Sequence, residues 1–134
     1  MTSVPMSRPL RLVLLADAGA SGATAALLVA GAALLERLLG LPVALMREAG
    51  MLLIPYLVLV VFVAARPSVA LAAVNAIIAI NAAWTAASVL LLVSGWVSPT
   101  LIGVAFVLAQ AAAVGAFAVI QYVCLRQAGS GVPA

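Results

Sequence analysis

Between Pro67 and Leu125 the chain runs for 59 consecutive residues without a charged side chain. As a single α-helix this stretch would be about 88 Å long, whereas the hydrocarbon core of a bilayer is about 30 Å thick. The stretch must therefore turn, and its one strong break is at residues 94–100, where glycine, proline and serine coincide. A soluble domain carries about 25% charged residues, but this chain carries 7%. We therefore predict an integral membrane protein.

Turn signals divide the 134 residues into four apolar spans with short connections. Gly40 and Pro42 mark the first turn, and Arg66 with Pro67 marks the second. The predicted fold is all-α: a single domain made of a bundle of four transmembrane helices, with spans at about 12–35, 48–65, 69–93 and 100–125. Residues 1–11 are predicted to be a poorly ordered basic lead-in. The first apolar stretch is too long for a cleaved signal peptide.

The charged residues predict the orientation of these spans. All six basic residues are arginines. With four spans, one membrane side holds four of them, namely Arg8, Arg11, Arg66 and Arg126. The other side holds Arg37 and Arg47. This excess predicts that both termini are cytoplasmic, in a bacterial inner membrane. The arginines form no patch, so we predict no nucleic-acid partner despite the net charge of +3.

Asp17 is the most informative side chain, because it lies about two turns inside the first apolar segment. An ionisable residue inside a membrane span is a candidate functional residue. Two interpretations are open. The carboxyl group could bind a proton or another cation during coupled transport, or it could form an ion pair with Arg66 or Arg126 near the same membrane face.

Two further groups of residues are candidates for contacts between helices. Polar residues in spans 3 and 4 could line a pathway or form interhelical hydrogen bonds worth about 0.6 kcal/mol each, and we expect hydrogen bonding; they are Asn81, Thr85, Ser88 and Gln110. In span 1, small residues recur at every fourth position and predict a packing face; they are Ala18, Gly22 and Ala26.

Catalytic and cofactor chemistry finds no support in the sequence. The chain has no histidine, which argues against the common haem-b ligation and most zinc sites. It has no nucleophile with an adjacent base and no phosphate-binding loop. We therefore predict a protein that is not an enzyme and that uses no cofactor and no metal.

Three short segments resemble a group of small bacterial four-span inner-membrane proteins to which no activity is assigned. The segments are DAGASGAT at 17–24, LIPY at 53–56 and SPTLIGVAF at 98–106. The size of the chain and a carboxyl group in the first span also resemble the small multidrug-resistance exporters, but aspartate replaces their glutamate and their surrounding pattern is missing. The small fluoride channels are similar only in size and span count. These resemblances imply a four-span fold without implying an activity.

The function predicted from the sequence is that of a non-enzymatic accessory or structural membrane component. Such a protein would lie in the lipid bilayer, and its possible partners are further copies of this chain or the subunits of a larger membrane complex. The alternative is a small transporter or channel that uses Asp17 and a polar pathway between helices.

Overall fold

The computed structural model describes residues 2–130, without the side chain of Ser130, and shows five helices in this range. They are α1 (Arg8–Ala30), α2 (Ala32–Leu39), α3 (Val43–Ala64), α4 (Leu71–Ser94) and α5 (Leu101–Ser130). All except the short α2 are long and apolar enough to cross a membrane. The predicted all-α fold with four spanning helices is confirmed.

The first span ends earlier than the sequence predicts. We expect a helix to Leu35, but α1 ends at Ala30 and Gly31 separates it from α2. The Gly31 amide still bonds to the Leu27 carbonyl at 2.8 Å, so the break is confined to one residue. Helix α2 is amphipathic: its acidic and basic residues, Glu36 and Arg37, are exposed, and its apolar face is buried.

The N-terminal lead-in is more ordered than predicted, because it pairs with the connection between α3 and α4. Strand β1 (Ser3–Pro5) runs antiparallel to strand β2 (Ser68–Ala70), and Val4 lies opposite Val69. Arg11 strengthens this end of the bundle by donating from Nε to the Ala64 carbonyl at 2.9 Å and from Nη2 to the Arg66 carbonyl at 3.2 Å. These carbonyls have no partner within the helix, and the negative end of the α3 dipole favours a cation there.

The spanning helices form two close pairs. Helix α1 packs along α3, α4 packs along α5, and α1 meets α5 in the middle of the bundle. Helices α3 and α4 make few contacts with each other. The bundle therefore has three closed seams and one open seam, between α3 and α4.

At the end opposite the strands, α5 begins directly against the end of α2. Thr100 donates from its hydroxyl to the Leu38 carbonyl at 2.7 Å and from its amide to the Leu39 carbonyl at 2.9 Å. Gly103 lies so close to the Leu39 carbonyl that a side chain at this position would collide with it. Gly40 turns the chain here with a φ of +70°, a conformation that glycine adopts at little cost.

The predicted small-residue face of α1 is buried only in part. Ala18 is buried, Gly22 faces Leu57 of α3, and Ala26 is exposed. A tight contact between α1 and α3 lies at Gly50, which the sequence analysis did not single out because it stands alone. A Cβ atom on Gly50 would lie 2.7 Å from the Val29 Cγ2 atom.

We predict that Gly50→Ala lowers stability, because the added methyl group would also lie 3.2 Å from the Ala25 carbonyl oxygen. Overpacking of this kind costs about 1–3 kcal/mol. Gly19→Ala is the matched control, since a Cβ atom there meets no atom within 4 Å. Thermal unfolding in detergent should show a loss for Gly50→Ala and none for Gly19→Ala; equal behaviour of the two variants would contradict this helix contact.

Candidate functional site

Each of the four spanning helices contributes a polar side chain to one buried cluster. Asp17 of α1 is 2% exposed, Tyr56 of α3 is 8% exposed, Asn81 of α4 is 3% exposed and Gln121 of α5 is fully buried. Ser21, one turn after Asp17, completes the cluster. We call these five residues the polar hub. Polar groups in a membrane interior must find partners within the protein, and the hub provides them.

The Asp17 carboxyl group is the centre of the hub. Its Oδ2 atom lies 2.6 Å from Tyr56 Oη, 2.7 Å from Gln121 Nε2 and 2.9 Å from Asn81 Nδ2. Its Oδ1 atom accepts a hydrogen bond from Ser21 Oγ at 3.1 Å. The partners also contact each other: Tyr56 Oη is 2.9 Å from Asn81 Oδ1, and Asn81 Nδ2 is 3.0 Å from Gln121 Oε1.

The arginines suggested as partners of Asp17 lie elsewhere. Among residues 2–130, the four groups that hydrogen-bond to the carboxyl group are all uncharged. The Arg66 guanidinium lies over the Phe62 ring at 5.3 Å, and that of Arg126 lies over the Tyr122 ring at 5.8 Å. The ion-pair interpretation of Asp17 is therefore replaced by hydrogen bonding to neutral groups.

Sequence reasoning found two members of the hub, Asp17 and Asn81, as candidate sites and did not connect Tyr56 or Gln121 with Asp17. Tyr56 precedes Arg66 by ten residues, whereas Gln121 precedes Arg126 by five. These separations differ by about 7 Å along a helix, so the distance from the nearest arginine gives no signal that would have grouped the two residues.

The predicted polar stripe of α4 divides into two parts. Asn81 belongs to the hub, whereas Gln110 of α5 accepts from Trp84 Nε1 at 2.8 Å and donates to Ser88 Oγ at 3.0 Å. Thr85 donates to the Asn81 carbonyl and lies 3.3 Å from the Ala111 carbonyl of α5. These contacts join α4 to α5 by interhelical hydrogen bonds.

Three neighbouring cavities lie around Trp84, and the two larger ones are at the open seam between α3 and α4. A cavity of about 340 Å³ is lined by Glu48, Ser88 and Gln110 among mostly apolar residues, and one of about 430 Å³ is lined by Tyr56 and Asn81 of the hub. A third, of about 70 Å³, is lined mainly by residues of α1 and α5 and reaches Asp17 itself. Trp84 lines all three, and we call this group of neighbouring cavities the cleft.

The hub is unsuited to a metal ion. Within residues 2–130, no group of three or more histidine, cysteine, aspartate or glutamate side chains is placed to hold one. Asn81 and Gln121 also direct N–H groups at the carboxyl oxygen, and a cation there would face donors instead of the oxygen ligands that hard metal ions need.

Comparison of the chain with protein-family models, curated proteins and solved structures finds no match. The similarity to the bacterial four-span group therefore stays a prediction. The functional interpretation consequently depends on the geometry of the hub and the cleft.

We predict that Asp17 couples energetically to Gln121 and not to Arg126. Gln121→Leu removes a donor from a buried carboxyl group and should cost about 1–3 kcal/mol of stability. In the double variant with Asp17→Asn, part of this loss should disappear, since residues in contact show interaction energies of about 0.5–3 kcal/mol.

Arg126→Gln combined with Asp17→Asn is the matched control for this double-mutant cycle. Its losses should add within about 0.5 kcal/mol, as expected for residues without a shared partner. Thermal unfolding in detergent measures both cycles. A large coupling of Asp17 to Arg126, with additivity at Gln121, would restore the ion-pair interpretation.

Proposed function

We propose that this protein is a small, non-enzymatic membrane carrier that uses Asp17 as its ion-coupling residue and the cleft between α3 and α4 as its solute site. The observation that carries the proposal is a buried carboxyl group, beside the cleft, that has no cationic partner among residues 2–130. Such a group is costly in a bilayer, and four neutral residues would hold the helices together at less cost. Coupling a solute to an ion gives the carboxyl group a role.

The closed and open regions of the bundle support this proposal. At the end that carries β1 and β2, Arg11 and the paired strands close the space between the helices. Toward the other end, the seam between α3 and α4 is open as far as Glu48. A cavity toward one end of the bundle, with the other end closed, fits one state of an alternating-access carrier.

The lining of the cleft indicates which solutes fit. Cavities of about 340 and 430 Å³ lie in the range of small-molecule sites. Their walls are mostly leucine, alanine and aromatic residues, and the acidic residues that line the cleft are Glu48 and Asp17. We therefore propose a small, largely apolar solute that is not an anion.

A non-enzymatic accessory or structural component, as a homo-oligomer or in a larger membrane complex, is the second candidate. The observation that favours it is that the hub and the Gln110 contacts hold helices together without a solute. Under this function the cleft would be filled by lipid or by a partner helix. The two candidates differ in whether water reaches the cleft.

We also propose that the protein lies in a bacterial inner membrane with both termini in the cytoplasm. The support is the charge distribution: Arg11 and Arg66 meet at the end of the bundle that carries the strands, and Arg8 begins α1 at the same end. Positive charge is enriched on the cytoplasmic side of such membranes. Under this orientation the cleft opens away from the cytoplasm.

Thiol labelling tests the carrier proposal. We predict that a cysteine at Ser88, which lines the cleft, reacts with a small, membrane-impermeant thiol reagent. A cysteine at Thr85, which contacts the Ala111 carbonyl between α4 and α5, should stay unlabelled. Cys124 is replaced by alanine in both variants. Failure of Ser88→Cys to react would favour the structural function, and equal reaction at both positions would contradict the described cleft.

Reporter fusions test the orientation. Fusions after Arg66 and after Arg126 should both report the cytoplasm, and a fusion after Val97, between α4 and α5, should report the opposite side. The physical reason is the excess of arginine at the end of the bundle that holds Arg66 and Arg126. The same side reported after Arg66 and after Val97 would contradict four spans.

A further inference from the structure

The hub contains more close contacts than its neutral donors have protons. Six pairs of polar atoms lie within 3.1 Å of each other: four involve the Asp17 carboxyl oxygens, one joins Tyr56 to Asn81, and one joins Asn81 to Gln121. Each contact needs one proton between its two atoms to be a hydrogen bond.

With Asp17 ionised, the hub provides only five protons for these contacts. Ser21 provides one, the Asn81 amide provides two, and the Gln121 amide provides one toward the carboxyl group. Tyr56 has a single hydroxyl proton for two contacts, with Asp17 Oδ2 at 2.6 Å and with Asn81 Oδ1 at 2.9 Å. One pair of oxygens would face each other without a proton.

Rotating the amide groups does not remove this deficit. If the Asn81 amide is turned, its nitrogen donates to Tyr56 but its oxygen faces Asp17 Oδ2. If the Gln121 amide is turned as well, its oxygen also faces Asp17 Oδ2. Every arrangement with an ionised carboxylate therefore leaves at least one close contact between two acceptors, which is unfavourable in a buried site.

We infer that the hub is a proton-binding site in which Asp17 carries the proton. A proton on Oδ2 is donated to Tyr56 Oη, and Tyr56 then donates its own proton to Asn81 Oδ1. The carboxyl oxygen keeps lone pairs for the amides of Asn81 and Gln121. All six contacts become hydrogen bonds, and no net charge is buried.

Loss of this proton changes the contact across the open seam. The single proton of Tyr56 would turn to the Asp17 carboxylate, because hydrogen bonds to charged groups are the stronger ones. Asn81 Oδ1 would then lose its donor. The hydrogen bond between Tyr56 of α3 and Asn81 of α4 would break. Protonation of Asp17 therefore closes the seam at the hub, and deprotonation loosens it.

The groups that face Asp17 are few, which makes the site simple to test. Tyr56 from α3 is its titratable neighbour, whereas α4 and α5 contribute the amides of Asn81 and Gln121. Of the arginines at this end, Arg11 binds backbone carbonyls, and Arg66 and Arg126 lie over aromatic rings.

This inference deepens the proposed carrier function, because it names the proton as the coupling ion. As a coupling mechanism it rests on that function.

Asp17 is the only aspartate among three acidic residues. Aspartate isotopically labelled at its side-chain carboxyl carbon therefore marks this one group in the unaltered chain. Infrared spectra of the folded protein near neutral pH should show the labelled carbonyl stretch of a protonated acid. A carboxylate band in its place would overturn the inference.

Tyr56→Phe and Tyr122→Phe test the role of the tyrosine. Tyr56→Phe removes the group that accepts the Asp17 proton, so the labelled carbonyl band should shift. Tyr122→Phe, at the other tyrosine of the chain, should leave the band in place. A band that is unmoved in Tyr56→Phe would contradict the proposed contact.

The seam is tested by the distance between spin labels on exposed positions of α3 and α4, at Met51 and Leu90, in the Cys124→Ala background. Raising the pH should lengthen the distance in the otherwise unaltered chain and leave it constant in Asp17→Asn. A distance that is independent of pH in both would overturn the coupling to the seam.

Two outcomes separate the proton site from the carrier function. If Asp17 is protonated but Ser88→Cys does not react with the thiol reagent, the carrier is rejected and the proton site remains. If Ser88→Cys reacts but Asp17 is ionised, the proton site is rejected and the carrier remains.

Discussion

The interaction that connects all four spanning helices is the set of hydrogen bonds between the Asp17 carboxyl group and one side chain from each of the other three. Lipid provides no hydrophobic driving force for helix association, so packing and hydrogen bonds determine which helices meet. Tyr56 and Gln121 reach the same carboxyl oxygen from α3 and α5. Because one carboxyl oxygen contacts a side chain from each of the other three spanning helices, a change in its protonation affects all of them together.

Around the hub, the rest of the bundle serves to close one end and leave one seam open. Glycines at tight contacts allow the helices to approach, as at Gly50 between α1 and α3. The paired strands and the Arg11 hydrogen bonds close the end that carries them. Between α3 and α4, the contact of Tyr56 with Asn81 lies at the floor of the cleft. A single protonation event at this position can therefore control the opening of the seam.

The sequence predicts the fold well because span length and the absence of charge are local properties of the chain. Four spans and the turns at Gly40 and near Gly95 follow from composition and from glycine and proline. The pairing of residues 3–5 with 68–70 could not be predicted, since it joins segments more than sixty residues apart. Asp17 and Asn81 stand out in the sequence, but Tyr56 and Gln121 do not, because uncharged residues of these types are ordinary until the helices bring them together.

The central claim is that the hub is retained for its chemistry and not for stability, and replacing the hub as a whole tests this most directly. The variant carries Asp17→Leu, Tyr56→Phe, Asn81→Leu and Gln121→Met, which removes the carboxyl group together with its main partners. Replacing a buried polar group and its partners by apolar residues of similar shape can be neutral or stabilising. The measurement is the thermal unfolding of this variant in detergent, compared with Gln121→Leu alone. We expect the fully apolar variant to be more stable than the single variant, in which the carboxyl group has lost a donor. A fully apolar variant that is less stable than Gln121→Leu would show that the hub serves mainly to hold the helices together, and would contradict this account.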